Sequence, residues 1–280
     1  MSDSSPALRL RDCILGFYAV AAPRYGEWGG GINARAASRT AELVALQAGE
    51  SALDIGCGTG LVTHLLSRDA PGGFAFGIDI SPDMLAVAHR DRPSGSDAVF
   101  AIMAPESLLM RSDSFDAVVI GQTLAYLLRP GAVLAEAHRV LRPGGRIVVS
   151  CQRRKLSTPA ENVFFMELTR LADRSPMNIP RPPKAHAWFG EPDVLCGLLR
   201  NAGFSDVSTT QFVTGNHTGD AAGWIDLMSL AGPYPHELLA HLGAALRATF
   251  LQRFEHAARQ LSRDPFRYHR AFTFALARRP

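Results

Sequence analysis

Strand-like and helix-like segments alternate from about residue 35 onward, which predicts a doubly wound, mostly parallel α/β sheet. Three observations carry that expectation. Short apolar runs recur at 51–55, 74–79, 97–101, 116–120, 146–150, 206–213 and 271–277, which are seven candidate strands. Helical patterning fills the gaps between several of them. Val133, Leu134, Ala137, Val140 and Leu141, for example, fall at i, i+1, i+4, i+7 and i+8. The first strand also runs straight into a glycine-rich turn, LDIGCGTG, that opens a helix.

Taken in order, residues 35–47 read as a helix that ends at Ala48-Gly49-Glu50, ahead of the strand SALDI. Residues 60–68 suit a helix and FAFGID a second buried strand. Ser81 is placed to cap the next helix, Pro82 fits its first turn and Asp83 suits the positive end of its dipole. The third and fourth strands follow as DAVFA and DAVVI. The helix over 133–141 stops at Arg142-Pro143-Gly144-Gly145, and RIVVS forms the fifth strand. Val194, Leu195, Leu198 and Leu199 mark a helix closed by Gly203, with a strand near 206–213 and a last one at 271–277.

Two stretches, 151–189 and 214–268, are too long for ordinary connections. Each carries a helical stripe: Phe164, Phe165, Leu168 and Leu171 in one, Leu238, Leu239, Leu242, Leu246 and Phe250 in the other. Both are predicted to be caps. The expected division is an N-terminal helix and lid at 1–34 and a ligand-binding core at 35–150. A cap follows at 151–189, then more core at 190–213, a helical cap at 214–268 and a closing strand at 269–280.

The 280 residues carry a formal net charge of only +3, which argues against the concentrated basic face that nucleic-acid binding requires. No signal-peptide pattern opens the chain, and no uncharged apolar stretch is long enough to span a membrane. Cys13, Cys57, Cys151 and Cys196 form no CxxC pair and read as free thiols of a cytoplasmic protein. The histidines lack metal-ligand spacing, so no metal is expected.

The glycine turn lets backbone approach a ligand closely, because no Cβ intervenes, and the following helix offers unpaired N–H donors. A dinucleotide site is the competing reading, but it needs G-x-G-x-x-G. Leu61 and Thr63 break both possible frames. Asp79 ends the second strand, 19 residues past Gly60, where a carboxylate can accept from both hydroxyls of a ribose.

The succession LDIGCGTG, GIDIS, SFDAVV, RVLRPGGRIVVS and LLRNAGF resembles the class I S-adenosylmethionine-dependent methyltransferases, and among them the ubiquinone/menaquinone-type branch, over roughly residues 15–213. The resemblance implies a Rossmann-like seven-stranded sheet with helical cap insertions over its carboxyl edge, and S-adenosylmethionine as cofactor. It places Asp54, Gly56 and Gly58 at the methionine end, with Gly60 starting the next helix. It also places Asp79 on the ribose, Ile80 beside the adenine and Gln122 near the methionine moiety. Tyr18 and Tyr25, within a segment resembling F-x-x-x-A-x-x-Y, would close over the cofactor.

The chain departs from that pattern twice. Ala104 and Pro105 stand where the branch has an Asp and a backbone N–H directed at the adenine, so those two contacts are absent unless Glu106 or a shifted register supplies them. Leu124-Ala125-Tyr126 replaces a stretch that often carries two histidines. Tyr126 and His186 are the candidate bases, with His217 behind them. Trp28, Trp188, Phe189 and Trp224 are candidates to line an apolar substrate pocket, or else to pack the cap's own core. Arg153, Arg154, Lys155, Arg181 and Lys184 are candidates to attract an anionic group, or else a solvated loop. The arginine-rich stretch 247–279 reads as solvated helix faces.

The resulting expectation is methyl transfer to a small, apolar metabolite, in specialised metabolism such as antibiotic biosynthesis. Neither nucleic acid nor membrane is expected as a partner, and a homodimer is left open. A same-fold cyclase that binds the cofactor without methyl transfer is the main alternative, and a non-catalytic binding protein is the third.

Overall fold

The computed structural model describes residues 6–153, 158–172, 188–261 and 264–280. Its centre is β1 (Ser51–Ile55), a short strand with Ala52, Leu53 and Ile55 fully buried. A strand this apolar on both faces belongs inside a parallel sheet with helices on either side. β1 pairs in parallel with β2 (Phe74–Asp79) and β4 (Phe115–Gly121), and β2 pairs in parallel with β3 (Val99–Ile102). β5 (Leu141–Gln152) extends the parallel part beyond β4. β7 (Arg267–Arg278) then lies antiparallel to both β5 and β6 (Ser205–His217). The seven strands run in the order β3-β2-β1-β4-β5-β7-β6.

Alternation along the strands divides the core. Leu53, Ile55, Val118, Ile120, Ile147 and Val149 pack with α5 (Pro130–Val140) and α7 (Pro192–Asn201). Ala52, Ala75, Ala117, Val119 and Val148 pack with α2 (Trp28–Val44) and α3 (Leu61–Asp69). α4 (Pro82–Arg90) begins as expected: the Ser81 hydroxyl accepts from the Met84 N–H at 3.3 Å, and Asp83 sits in the first turn. Across the carboxyl ends of the strands lies α1 (Pro6–Ala21), packed on α4 and on α9 (Pro233–Ala240).

Three boundaries differ from the sequence expectation. α2 begins at Trp28 and contains Gly29, Gly30 and Gly31 at φ +60, +66 and +82°, so the chain turns sharply before the regular helix resumes at Ile32. Only glycine accepts three such angles in a row without strain. β5 starts at Leu141 and takes in the Pro-Gly-Gly step, with the register shifting opposite Phe115 and Ala117. β6 and β7 remain paired as far as His217 and Arg267, so 214–217 and 267–268 belong to the sheet rather than to a cap. Gly215, Asn216 and the charged Arg267-Tyr268-His269-Arg270 run conceal that ladder from any propensity argument.

The segment between β6 and β7 carries α8 (Ala221–Ser229), α9 and α10 (Ala244–Leu261). Together with α6 (Pro159–Ala172), they close over a separate apolar cluster that includes Phe164, Trp224, Phe250, Phe254, Tyr268 and Phe272. Among the described residues, no helix is long and apolar enough to cross a membrane. No three His, Cys, Asp or Glu side chains among them group as a metal site.

Candidate active site

Chain reversal at the end of β1 builds the first wall of the site. Gly56, Gly58 and Gly60 hold φ +72, +54 and +76°, for different reasons. A Cβ on Gly56 would fall 2.3 Å from the Thr123 hydroxyl, and one on Gly60 would fall 2.9 Å from the Phe100 ring. A Cβ on Gly58 would meet nothing nearer than 3.8 Å, because this glycine faces open space.

That space is a cavity of about 480 Å³, walled by Gly58, Asp79, Ile80 and Glu106 and roofed by Ile14 and Tyr18 of α1. The Asp79 carboxylate is held by two backbone donors, the Gly58 N–H at 2.9 Å and the Ser81 N–H at 2.8 Å, one on each oxygen. Each oxygen therefore keeps acceptor capacity for a ligand hydroxyl. Burial pushes the Asp79 carboxyl up, and the N–H bonds work against that shift. Ala104 and Pro105 also line this cavity, the first without a carboxylate and the second without an N–H, while Glu106 beside them brings a carboxylate.

Two smaller cavities adjoin it. One, of about 50 Å³, is lined by Asn33, Thr40, Asp54, Gly56 and Ser150. Asp54 is 2% exposed and accepts from the Thr63 hydroxyl at 2.7 Å. Burial pushes its carboxyl up to about 7, opposed by the Thr63 bond and aided by the nearby Asp79 charge. The other cavity, of about 100 Å³, is lined by Phe17, Trp28, Tyr126, Gln152, Phe189 and Arg270.

All three cavities meet at Tyr25 and Gln122. Gln122 sits at φ +57°, an uncommon angle for a residue with a side chain, in the turn that leaves β4. Its backbone N–H donates to the Ser150 carbonyl at 3.0 Å and its amide to the Ser150 hydroxyl at 2.9 Å, which fixes it between β4 and β5. Tyr25 is steadied by the Asn33 amide, which donates to its carbonyl at 3.0 Å. The Tyr18 ring lies 6.2 Å from Tyr25 and 5.9 Å from Tyr126, both edge-on. Burial raises the Tyr18 and Tyr25 hydroxyls, so both are neutral donors at physiological pH.

The structure thus brings together Tyr18, Tyr25, Asp54, Gly56, Gly58, Asp79, Ile80, Ala104, Pro105, Gln122, Tyr126 and Trp28 around connected space. Gly60 stands just behind, against Phe100 and α4. Four other candidates lie elsewhere. Trp224 is fully buried in the cap cluster and lines none of the three cavities. Trp188 is 49% exposed, and it is the adjacent Phe189 that faces the third cavity. The Arg153 guanidinium pairs with Glu191 at 3.3 Å and Gln211 at 2.8 Å, away from all three. His217 is an exposed partner of Asp264. His186, Arg154, Lys155, Arg181 and Lys184 lie outside the described residues.

Sequence reasoning missed Ile14, Phe17 and Arg270. Arg270 is no solvated helix residue: it is 5% exposed on β7. The signal was present, because Arg270 shares the strand parity of Tyr268 and Phe272.

These walls fit S-adenosylmethionine: a carboxylate for a ribose, a bare glycine face where the cavity opens, and a second buried carboxylate for an ammonium. Comparison with known proteins agrees. Residues 53–149 match the family model of a methyltransferase domain. The chain is 33% identical over 164 residues to the demethylmenaquinone methyltransferase of Roseiflexus castenholzii, a span of 56% of this chain and 68% of that one. It is 40% identical over 100 residues to the malonyl-[acyl-carrier protein] O-methyltransferase of Hahella chejuensis, 35% of each chain, so it spans only about a third of that enzyme's length.

Among solved structures, a Bacillus halodurans protein designated a methyltransferase superposes with a TM-score of 0.56 at 17% identity, over 87% of this chain and 98% of that one. The [4+2]-cyclase SpnF superposes at 0.52 and 22% identity, over 88% and 81%. Those two likenesses speak to fold alone. The chain belongs to the class I S-adenosylmethionine-dependent methyltransferases and matches their quinone-type branch.

Proposed function

We propose that this chain moves the methyl group of S-adenosylmethionine to a small, largely apolar metabolite seated in the cavity of about 100 Å³. The observation that carries the reading is the meeting of three cavities at Tyr25 and Gln122. A sulfonium has three carbon arms, and each has a space of matching character. The adenosyl arm suits the large cavity with Asp79, and the aminoacyl arm the small polar one with Asp54. The methyl arm then faces the space lined by Trp28, Phe189 and Tyr126.

When bound, the cofactor supplies an electrophilic methyl group that asks for in-line approach of a nucleophile. The chain's part is to hold that line and exclude water, which lowers the barrier through proximity and orientation. Tyr126 is the group within the acceptor cavity able to take a proton from an acceptor or to orient its lone pair. The free buried thiols Cys57 and Cys151 suit a reducing cytoplasm. The long helical insertion between β6 and β7 supports a role in specialised metabolism.

The test is transfer of labelled methyl to a panel of small hydroxylated and carbonyl compounds. Ala231 lines only the acceptor cavity, so Ala231→Phe should leave S-adenosylhomocysteine affinity within threefold while lowering kcat/KM at least tenfold, mainly through KM. Cofactor binding with no transfer to any acceptor would favour the same-fold cyclase reading. Absence of cofactor binding would remove both.

Proton linkage provides a second check. A carboxyl raised to about 7 is protonated in the free protein at pH 6, and pairing it with a ligand ammonium requires the carboxylate. Affinity for S-adenosylhomocysteine should therefore rise from pH 5 to about 7, with proton release at pH 6. Calorimetry in buffers of different ionisation enthalpy would read that release, and Asp54→Asn should abolish it. The free protein should behave in the opposite sense. The stability contributed by the raised carboxyl is fully present below its ordinary value of 3.8 and lost as pH passes through about 7, so Tm falls across that window unless ligand is present.

A further inference from the structure

Resting on the reading that the third cavity holds the acceptor, we propose that Arg270 is its specificity-determining residue and selects acceptors bearing an uncharged, hydrogen-bond-accepting oxygen, a ketone or a phenol, over carboxylates. Arg270 lines that cavity from β7 although it is only 5% exposed. Nothing about its position is loose. Its Nη1 donates to Glu161 Oε1 on α6, and the Glu161 side chain is itself 5% exposed. With the Gln152 amide in the orientation its neighbours require, the amide oxygen accepts from Arg270 Nε at 3.2 Å and from Nη1 at 2.9 Å. The guanidinium carbon lies 4.6 Å from the Tyr268 ring centroid and 5.7 Å from that of Trp28, whose indole N–H is anchored on the Leu227 carbonyl at 2.9 Å.

This arrangement sets both what is attracted and what is refused. A guanidinium carries five N–H donors in a planar fork, and contacts through Nε and Nη1 leave it able to direct a donor at an oxygen in the cavity. Glu161, itself buried, already neutralises its charge. A carboxylate acceptor would bring a second anion to one cation, and leaving an uncompensated charge buried is costly. A carbonyl or phenol oxygen gains a charge-assisted hydrogen bond without adding charge. Phe17, Phe189 and Phe272 around it favour a flat, apolar body behind that oxygen.

The experiment uses acetophenone, phenol and benzoate as probes on the full chain saturated with S-adenosylhomocysteine, read by ligand-observed NMR titration. Acetophenone and phenol should bind wild type, and benzoate should bind at least tenfold more weakly. The double variant Arg270→Gln, Glu161→Gln removes the fork without stranding a charge. It should weaken acetophenone and phenol at least tenfold while S-adenosylhomocysteine affinity by calorimetry stays within threefold, since Arg270 does not line the large cavity. Should that double variant fold poorly, Arg270→Lys keeps the charge beside Glu161 and loses the planar fork. It should weaken acetophenone several-fold with cofactor affinity unchanged. Benzoate binding as well as acetophenone overturns the proposal, as does equal probe binding by wild type and variants whose cofactor affinity is intact. A wild type that fails to bind S-adenosylhomocysteine overturns the methyltransferase reading itself, which the calorimetric arm separates from the other outcomes.

Discussion

Asp79→Ala should raise the dissociation constant for S-adenosylhomocysteine at least about 100-fold, the largest effect expected of any single change in the large cavity. The carboxylate is positioned by the Gly58 and Ser81 N–H groups before any ligand arrives. Two ribose hydroxyls donating to it would form charge-assisted bonds of about 1.5–3 kcal/mol each, and about 2.7 kcal/mol already corresponds to 100-fold. Alanine removes both bonds and also frees the loop N–H groups that hold Gly58 in register. Asp79→Asn should lose less, because its carbonyl oxygen still accepts from one N–H and one hydroxyl while its amide donates. Calorimetric titration of wild type, Asp79→Asn and Asp79→Ala should therefore give a graded series. Affinity within fivefold of wild type in the alanine variant would mean that no ribose is held there.

The parts of the site legible in the sequence are those built by short range. The glycines, Asp79 and Gln122 each sit within a few residues of a strand's carboxyl end, so once β1, β2 and β4 are located their side of the sheet follows. The parallel part of the sheet was legible because its central strands, β1 and β4, are apolar through both faces. What escaped was set by long-range packing. α1 supplies the roof of the large cavity through Ile14 and Tyr18, yet nothing local to α1 says which helix it will lie against. Trp188 and Phe189 are equally aromatic and adjacent, and the turn before α7 exposes one and buries the other. Arg270 was hidden by composition: an arginine among Arg267, Tyr268 and His269 looks solvated until the β6–β7 ladder continues through it. The three glycines at 29–31 bring Trp28 back over β7, a close approach that depends on left-handed angles rather than on hydrophobic pattern.

Trp224→Ala should destabilise the protein by about 3–5 kcal/mol, the largest folding penalty expected in the cap, because a fully buried indole leaves a cavity its neighbours cannot close. The indole stacks on Phe254 with ring centroids 6.3 Å apart and meets Tyr268 edge-on at 5.4 Å. Tyr268 in turn meets Trp28 edge-on at 5.6 Å, and those two rings flank the Arg270 guanidinium. Loss of the indole should therefore reach the acceptor cavity through packing, without touching the cofactor walls. Thermal unfolding should show a Tm lowered by about 8 °C or more, with S-adenosylhomocysteine affinity within threefold once measured well below the transition.

Trp224→Phe should be far milder. The Trp224 Nε1 is buried with no hydrogen-bond partner among the described residues, so phenylalanine removes an unsatisfied donor while keeping most of the ring contact. A structural indole thus predicts a wide gap in Tm between the two variants. An indole that touched the acceptor would instead give two variants of similar Tm and a raised KM in both, and that outcome would return Trp224 to the substrate pocket.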